Sequence, residues 1–198
     1  PVKFKLEQSF IVNGQVWLYY IDSTIQHGIH DFPHHPDLKL NCYGALYAVY
    51  LPEEICKALS NAQKNLKKEY PYYNLMVIDG TRAVHVDSTL QDTLRKICNL
   101  KPVPISPNHH HYGAAVDMVI VDEKGFIQDM GSDYNIFDEM GLKDPNLKDR
   151  GTTNRQKANR ELLKKVMQRA GFKASNNNCW HFEYGTLTQA KEKHKLIN

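Results

Sequence analysis

The residues with the clearest potential for chemistry lie in the segment 108–117, which reads NHHHYGAAVD. His110 ends a polar stretch, and Asp117 interrupts an apolar run, AAVDMVIV. A histidine at the end of a loop and a carboxylate in the next strand can converge on one metal ion, because both are good zinc ligands. A carboxylate is costly to bury in such a strand unless it is paired or ligated. The spacing therefore predicts a metal site, with a solvent-facing Asp117 beside a histidine-decorated loop as the alternative.

A third ligand is available at His181, which lies in the aromatic segment Trp180-His181-Phe182. Three protein ligands with an open fourth position are typical of a catalytic rather than a structural zinc site. Taken alone, His181 is more commonly explained as a half-buried histidine with one hydrogen bond. The residues by themselves therefore offer His110, Asp117 and His181 as candidate zinc ligands and leave that explanation open.

The elements that must position these residues follow from turn signals and hydrophobic periodicity. Asn13-Gly14 between the runs 10–12 and 15–20 predicts a β-hairpin. Pro52 predicts the start of a helix, the run 74–79 (NLMVID) predicts a short buried strand, and Asp87 or Ser88 is expected to cap a second helix.

The second half of the chain gives a similar mixture of elements. The apolar run 114–121 predicts a strand, and the turn DEKG leads into a second expected strand at 126–130. A helix is expected from about 154 to 170, before a final strand at 180–184 and a short C-terminal helix. Because strands and helices do not alternate regularly, we expect one α+β domain over residues 1–198.

Composition excludes several functional classes. A net charge of +3, with lysines scattered along the chain, gives no footprint for nucleic acid, and the absence of a long apolar run predicts no membrane span. The four cysteines form no CxxC pair, so we expect core residues, with a disulfide as the alternative. A second group of histidines comprises His27, His30, His34 and His35. We expect these residues to belong to a polar loop, with a separate metal site as the alternative.

The segment 108–117 resembles the SxHxxGxAxD motif of zinc D-Ala-D-Ala dipeptidases and carboxypeptidases, the group that includes the vancomycin-resistance dipeptidases. His110, Gly113, Ala115 and Asp117 match its fixed positions. The segment 178–181 (NCWH) is similar to the family's ExWH motif, and 79–82 (DGTR) resembles its DGYRP segment. The resemblance covers roughly residues 40–185. It implies an α+β fold shared with Hedgehog-type domains, built on a small mixed or antiparallel sheet.

The resemblance also implies an activity. It implies a bacterial metallopeptidase that uses Zn²⁺ to hydrolyse D-Ala-D-Ala or a related peptidoglycan stem peptide, with His181 as the third zinc ligand. Zinc lowers the pKa of a bound water toward about 7, and Arg82 falls on the arginine that supports the transition state. For Arg82 the alternative is a surface ion pair with Asp79 or Asp87. Tyr112 either lines the substrate pocket or is a packed aromatic residue.

The chain departs from the family pattern at a position that matters for catalysis. Asn178 stands where ExWH has the glutamate that takes a proton from water, and an amide cannot accept that proton. Asn108 and Ala83 replace the motif serine and proline. Three explanations are open. Turnover is poor because the base is missing, or the asparagine run 176–178 is aligned out of register. Alternatively Glu183 is the base, since residues two apart on a strand share a face and Glu183 would then point the same way as His181.

These departures leave a second functional class open. The alternative to a peptidase is a non-catalytic zinc domain that binds cell-wall peptides or a protein partner. A third possibility is a carboxypeptidase or endopeptidase acting on longer wall peptides. The bacterial cell envelope and the cytoplasm both remain open as compartments, as does the oligomeric state.

Overall fold

The structure of the chain is a computed structural model. The structure describes residues 5–12, 15–21, 26–27, 49, 51–97, 101, 104–131, 153–176 and 178–197. The predicted hairpin turn Asn13-Gly14, most of the second histidine group, and Cys42 and Cys98 lie outside these residues.

The described N-terminal segment is the predicted hairpin. Strands β1 (Lys5–Val12) and β2 (Gln15–Ile21) pair antiparallel, with Val12 opposite Gln15 across the Asn13-Gly14 position. The register agrees with the short turn that an Asn-Gly pair favours.

A five-stranded sheet in the order β3-β4-β5-β7-β6 forms the centre of the fold. Its strands are β3 (Gln26–His27), β4 (Asn74–Asp79), β5 (Ala115–Val121), β6 (Phe172–Ala174) and β7 (His181–Tyr184). The short β3 pairs parallel with β4, and the other neighbours pair antiparallel. The expected α+β class with a small mixed sheet is therefore confirmed.

Four α-helices accompany the sheet in the described part of the chain: α1 (Glu53–Glu69), α2 (Val84–Ile97), α3 (Asn154–Arg169) and α4 (Leu187–Lys193). Pro52 precedes α1 as its N-cap, and Glu53 and Glu54 follow in the first turn, where they complement the helix dipole. Thr153 and Gln156 form a capping box at the start of α3. None of the helices that the structure describes has the length and apolar character to cross a membrane.

One face of the sheet carries the hydrophobic core. Val116, Met118 and Ile120 alternate along β5 and belong to one apolar cluster with buried residues of α1 and α3, such as Leu66 and Leu163. Because side chains alternate between the two faces of a strand, Asp117 must point to the opposite face. The Asp117 carboxylate therefore lies on the side of the sheet away from α1 and α3.

Two predicted elements differ in the structure. Helix α2 begins at Val84 rather than at Asp87 or Ser88, because the Val84 N–H is already satisfied by the Ile197 carbonyl at 2.9 Å. The predicted strand 126–130 is wrong, since only an isolated bridge joins Ile127 to Val121. Phe126 and Ile127 remain 66% and 55% exposed, so these two apolar side chains are not packed into the core.

Candidate metal centre

Strand register brings three polar residues into one row across the sheet. Asp117 on β5 is paired with Asp79 on β4 and with His181 on β7. Side chains that are directly opposite on adjacent strands point to the same face. Asp117 is fully buried, so the alternative of a solvent-facing carboxylate is wrong.

His110 reaches this row from a four-residue 3-10 turn, His109–Tyr112. The Asn108 side chain caps the turn by accepting a hydrogen bond from the His111 backbone N–H, and His111 Nδ1 accepts one from the Asn108 backbone N–H. The turn ends at Gly113, whose φ of 67° is in the left-handed region that favours glycine. The motif glycine therefore has a conformational reason for being at this position.

The three predicted ligands meet at one point. His110 Nε2 lies 3.2 Å from His181 Nδ1 and 3.6 Å from Asp117 Oδ1, and His181 Nδ1 lies 2.9 Å from Asp117 Oδ1. One ligand atom from each residue lies within 4.8 Å of the other two, which is close enough to contact one ion. Two imidazole nitrogens and one carboxylate oxygen are a donor set that zinc accepts. The residues present therefore fit a zinc ion.

Each of these three residues has a partner on its far side. His110 Nδ1 donates to the Gly80 carbonyl at 2.6 Å, which leaves Nε2 of the neutral ring with a lone pair. Asp117 Oδ2 lies 3.6 Å from Arg82 Nη2, and His181 Nε2 lies 3.7 Å from Glu183 Oε1. Such outer partners are what orient metal ligands in proteins.

Arg82 is buried between two carboxylates. Its Nε donates to Asp79 Oδ2 at 2.8 Å, and its Nη1 donates to Asp87 Oδ1 at 2.7 Å. The ion pairs considered from the sequence are thus present, but they lie in the interior and not at the surface. They hold the guanidinium beside Asp117, and the predicted role of Arg82 in transition-state stabilisation stays a prediction.

Asp87 is the residue whose importance the sequence did not reveal. Besides Arg82, it accepts hydrogen bonds from His111 Nε2 at 2.8 Å and from Asn108 Nδ2 at 3.1 Å. It therefore connects the start of α2, Arg82 and the turn that carries His110. The two contacts with the turn span more than 20 residues of sequence, so no local pattern could have indicated them.

Two ionisable groups at the centre have strongly shifted pKa values. Burial alone would lower the pKa of His110, but the neighbouring Asp117 carboxylate outweighs burial and raises this pKa to about 9. Burial would raise the pKa of Asp87, but the His111 hydrogen bond and the Arg82 charge hold it well below its usual range. His110 therefore favours a proton in the absence of a metal ion, and Asp87 stays ionised.

The neighbouring residues have distinct surroundings. His111 is fully buried with both ring nitrogens hydrogen-bonded, so its role is in the turn and not in the ligand set. Tyr112 packs against Ala114 and Ala190, which agrees with the packed-aromatic alternative. Asn178 is half-buried, and its backbone N–H donates to Ser175 Oγ at 3.3 Å.

Comparison with known proteins agrees with this arrangement. A family model described as D-Ala-D-Ala dipeptidase matches residues 72–196, the part of the chain that contains the whole centre. A D-alanyl-D-alanine dipeptidase of Synechocystis sp. (strain ATCC 27184 / PCC 6803 / Kazusa) is 32% identical over 89 residues, which are 41% of this chain and 36% of that protein. The match thus spans little more than a third of the relative's length. Since the family model covers more than half of the sequence, the chain belongs to the D-Ala-D-Ala dipeptidase family of peptidases.

Proposed function

We propose that this protein is a zinc metallopeptidase that hydrolyses D-Ala-D-Ala or a related peptidoglycan stem peptide. The observation that carries the proposal is the convergence of His110 Nε2, Asp117 Oδ1 and His181 Nδ1 within the segment that matches the peptidase family. Family membership supports the class of reaction, and the donor set supports the choice of metal.

The chain's own residues have separate tasks in this proposal. His110, Asp117 and His181 hold the ion, which supplies a Lewis acid for the scissile carbonyl and for the attacking water. The Gly80 carbonyl keeps the His110 proton on Nδ1. Arg82 places a permanent positive charge 3.6 Å from Asp117 Oδ2, where it can stabilise the oxyanion that develops on the substrate.

The proposed site needs a group that accepts the proton from water, and two residues come into question for this role. Asn178 occupies the family's glutamate position, and its amide cannot act as a general base. Glu183 is a second carboxylate close to the centre, and its side chain is 28% exposed. The chain is then either slow because the base is missing, or it uses Glu183.

Zinc binding tests the first part of the proposal. Protein stripped with a chelator should bind about one zinc ion per chain, and His110→Ala, Asp117→Ala and His181→Ala should each abolish binding. His85→Ala is a matched control because His85 is exposed on α2. Metal analysis after gel filtration measures the stoichiometry, and full zinc content in the three variants would reject the site.

Hydrolysis of D-Ala-D-Ala and of a longer stem peptide tests the second part. If only the base is missing, Asn178→Glu should raise turnover by a factor of about 100 to 10,000 at matched zinc occupancy. Asn178→Gln is the matched control, since it has the same length as glutamate but no acid. If Glu183 is the base, the parent should already be active, and Glu183→Gln should abolish that activity with zinc still bound.

The second candidate function is a non-catalytic zinc domain that binds cell-wall peptides or a protein partner. The observation that favours it is Asn178 itself. Calorimetric titration of the zinc-loaded protein with the same two peptides would show binding, while neither the parent nor Asn178→Glu would release D-Ala. Turnover by the parent would exclude this alternative.

A further inference from the structure

We propose that Glu183 is a positioning residue that fixes the His181 ring for metal binding, and that His109 holds Glu183 in place. The inference rests on the proposed metal site. It starts from the two nitrogens of His181, which face different carboxylates: Nδ1 lies 2.9 Å from Asp117 Oδ1, and Nε2 lies 3.7 Å from Glu183 Oε1.

The two carboxylates act on which ring nitrogen of His181 carries the proton. His181 can offer a lone pair at Nδ1 only if the proton of the neutral ring is on Nε2. The Asp117 carboxylate attracts a proton to Nδ1, whereas an ionised Glu183 is a pure acceptor that attracts it to Nε2. Glu183 therefore favours the tautomer that the ion requires.

His109 restricts where the Glu183 carboxylate can be. Glu183 Oε1 lies 3.1 Å from His109 Nδ1, and the His109 side chain is only 12% exposed. The separation of 3.7 Å from His181 Nε2 is longer than a hydrogen bond, so Glu183 acts on the ring N–H as a nearby acceptor and negative charge. Since Glu183 is partly exposed, its contact with the more deeply buried His109 limits the rotamers it can adopt.

Sheet geometry puts the three side chains together. Glu183 follows His181 by two residues on β7, so both side chains lie on one face. In the register with β5, Glu183 is opposite Ala115, whose side chain is small. His109 is contributed by the first residue of the 3-10 turn. The same turn therefore supplies the ligand His110 and the residue that holds Glu183.

A positioning role and a general-base role for Glu183 differ in what they change. A base acts on the rate and leaves zinc affinity intact. An outer partner of a metal-ligating histidine acts on affinity, and its loss typically weakens metal binding by about 10- to 100-fold. The zinc dissociation constant therefore separates the two roles without reference to activity.

The test is a competition titration with a chromogenic chelator on the full chain at pH 7.5. Glu183→Gln should raise the zinc dissociation constant by about 10- to 100-fold. Glu192→Gln, which removes an exposed carboxylate on α4, should leave it unchanged. His109→Ala should weaken binding in the same direction by a smaller factor, and it provides a second variant that does not alter β7.

The outcomes separate the inference from the function on which it rests. Parent-like zinc affinity in both Glu183→Gln and His109→Ala would overturn the inference, while normal zinc binding by the parent would leave the proposed site intact. Failure of the parent itself to bind zinc would overturn both. Two-bond ¹H–¹⁵N spectra of the zinc-loaded parent should show the His181 proton on Nε2, and a proton on Nδ1 would contradict the proposed orientation.

Discussion

Replacing Asp87 with asparagine should destabilise the protein, although Asp87 is not a proposed metal ligand. The carboxylate is buried and accepts hydrogen bonds from Arg82, His111 and Asn108. Asparagine has nearly the same size, but its NH₂ group must face at least one of these donors. The substitution therefore removes a charge from a buried pair and leaves at least one buried donor without an acceptor.

The magnitude follows from these contacts. Removing one partner of a buried ion pair costs about 3–5 kcal/mol when the other charge is left alone. Here Arg82 keeps its hydrogen bonds with Asp79, so the lower end applies. We expect Asp87→Asn to lower the free energy of unfolding by about 3 kcal/mol, a substantial part of the roughly 5–15 kcal/mol of a typical domain.

The effect should depend on pH in one direction. The pKa of Asp87 is held low in the folded protein and is about 3.9 in an unfolded chain. The stabilisation from its ionised form is therefore complete well above pH 4 and is lost as the pH falls toward the folded pKa. The gap in unfolding free energy between the parent and Asp87→Asn should be constant from about pH 7 to 5 and should shrink below about pH 4.

Urea unfolding of zinc-free protein, followed by circular dichroism at several pH values, measures this gap. Asp92→Asn on the same helix is the matched control, because Asp92 is exposed. A change of less than about 0.5 kcal/mol for Asp87→Asn, the range of ordinary surface substitutions, would refute the reasoning. A gap that stays constant down to pH 3 would refute the part that assigns it to the ionised carboxylate.

Three further predictions concern the residues around the centre. Gly80→Ala should lower both the melting temperature and the zinc affinity. The new Cβ would lie 2.3 Å from Val49 Cγ1, and relief of this clash would displace the Gly80 carbonyl that is bonded to His110. An unchanged melting temperature and zinc affinity would contradict this prediction. Arg82→Lys should lower turnover by about 100-fold and should also reduce stability in urea, since lysine cannot reproduce the two-sided contact with Asp79 and Asp87. Because the pKa of His110 is about 9 in the absence of zinc, the ion must displace a proton. Zinc affinity should therefore rise by about tenfold per pH unit from pH 7 to 8.5, and a flat profile in chelator competition would contradict it. In zinc-free protein, protonated His110 also contributes to the free energy of unfolding. Because its pKa is about 9 in the folded protein and about 6.5 in an unfolded chain, this contribution is complete below about pH 6.5 and is lost as the pH rises through about 9.

Much of the fold could be predicted because its signals are local. Asn13-Gly14 indicated the hairpin of β1 and β2, and the apolar runs 74–79 and 114–121 indicated β4 and β5 to within one residue. The start of α2 could not be predicted, because its first N–H bonds to Ile197 near the other end of the chain and so needs no local cap. The strand expected at 126–130 had β-forming residues, but Phe126 and Ile127 stay exposed instead of packing into the core.

In the site, too, the features with a local sequence signal could be predicted and the contacts between distant segments could not. Residue types and spacing offered His110, Asp117 and His181 as candidate ligands, and the resemblance selected this set and added Arg82 and the question of Asn178. The outer contacts were not predictable, because they join separate segments: Gly80 to His110, and Asp87 to His111. Such contacts depend on how α2 and the 3-10 turn pack together, for which the sequence has no periodic signal.

The centre depends on chain segments far from its ligands. The Ile197 N–H donates to the His111 carbonyl at 3.1 Å, and the Ile197 carbonyl accepts from the Val84 N–H. One residue near the C-terminus therefore joins the turn that carries His110 to the helix that carries Asp87. Strand register alone can align Asp117 with His181, but it cannot place His110, which lies outside the sheet. His110 is held by contacts from α2, from the loop after β4 and from residue 197. Substitutions at the residues that make these contacts should therefore weaken binding at the proposed metal site, although none of them is a proposed ligand.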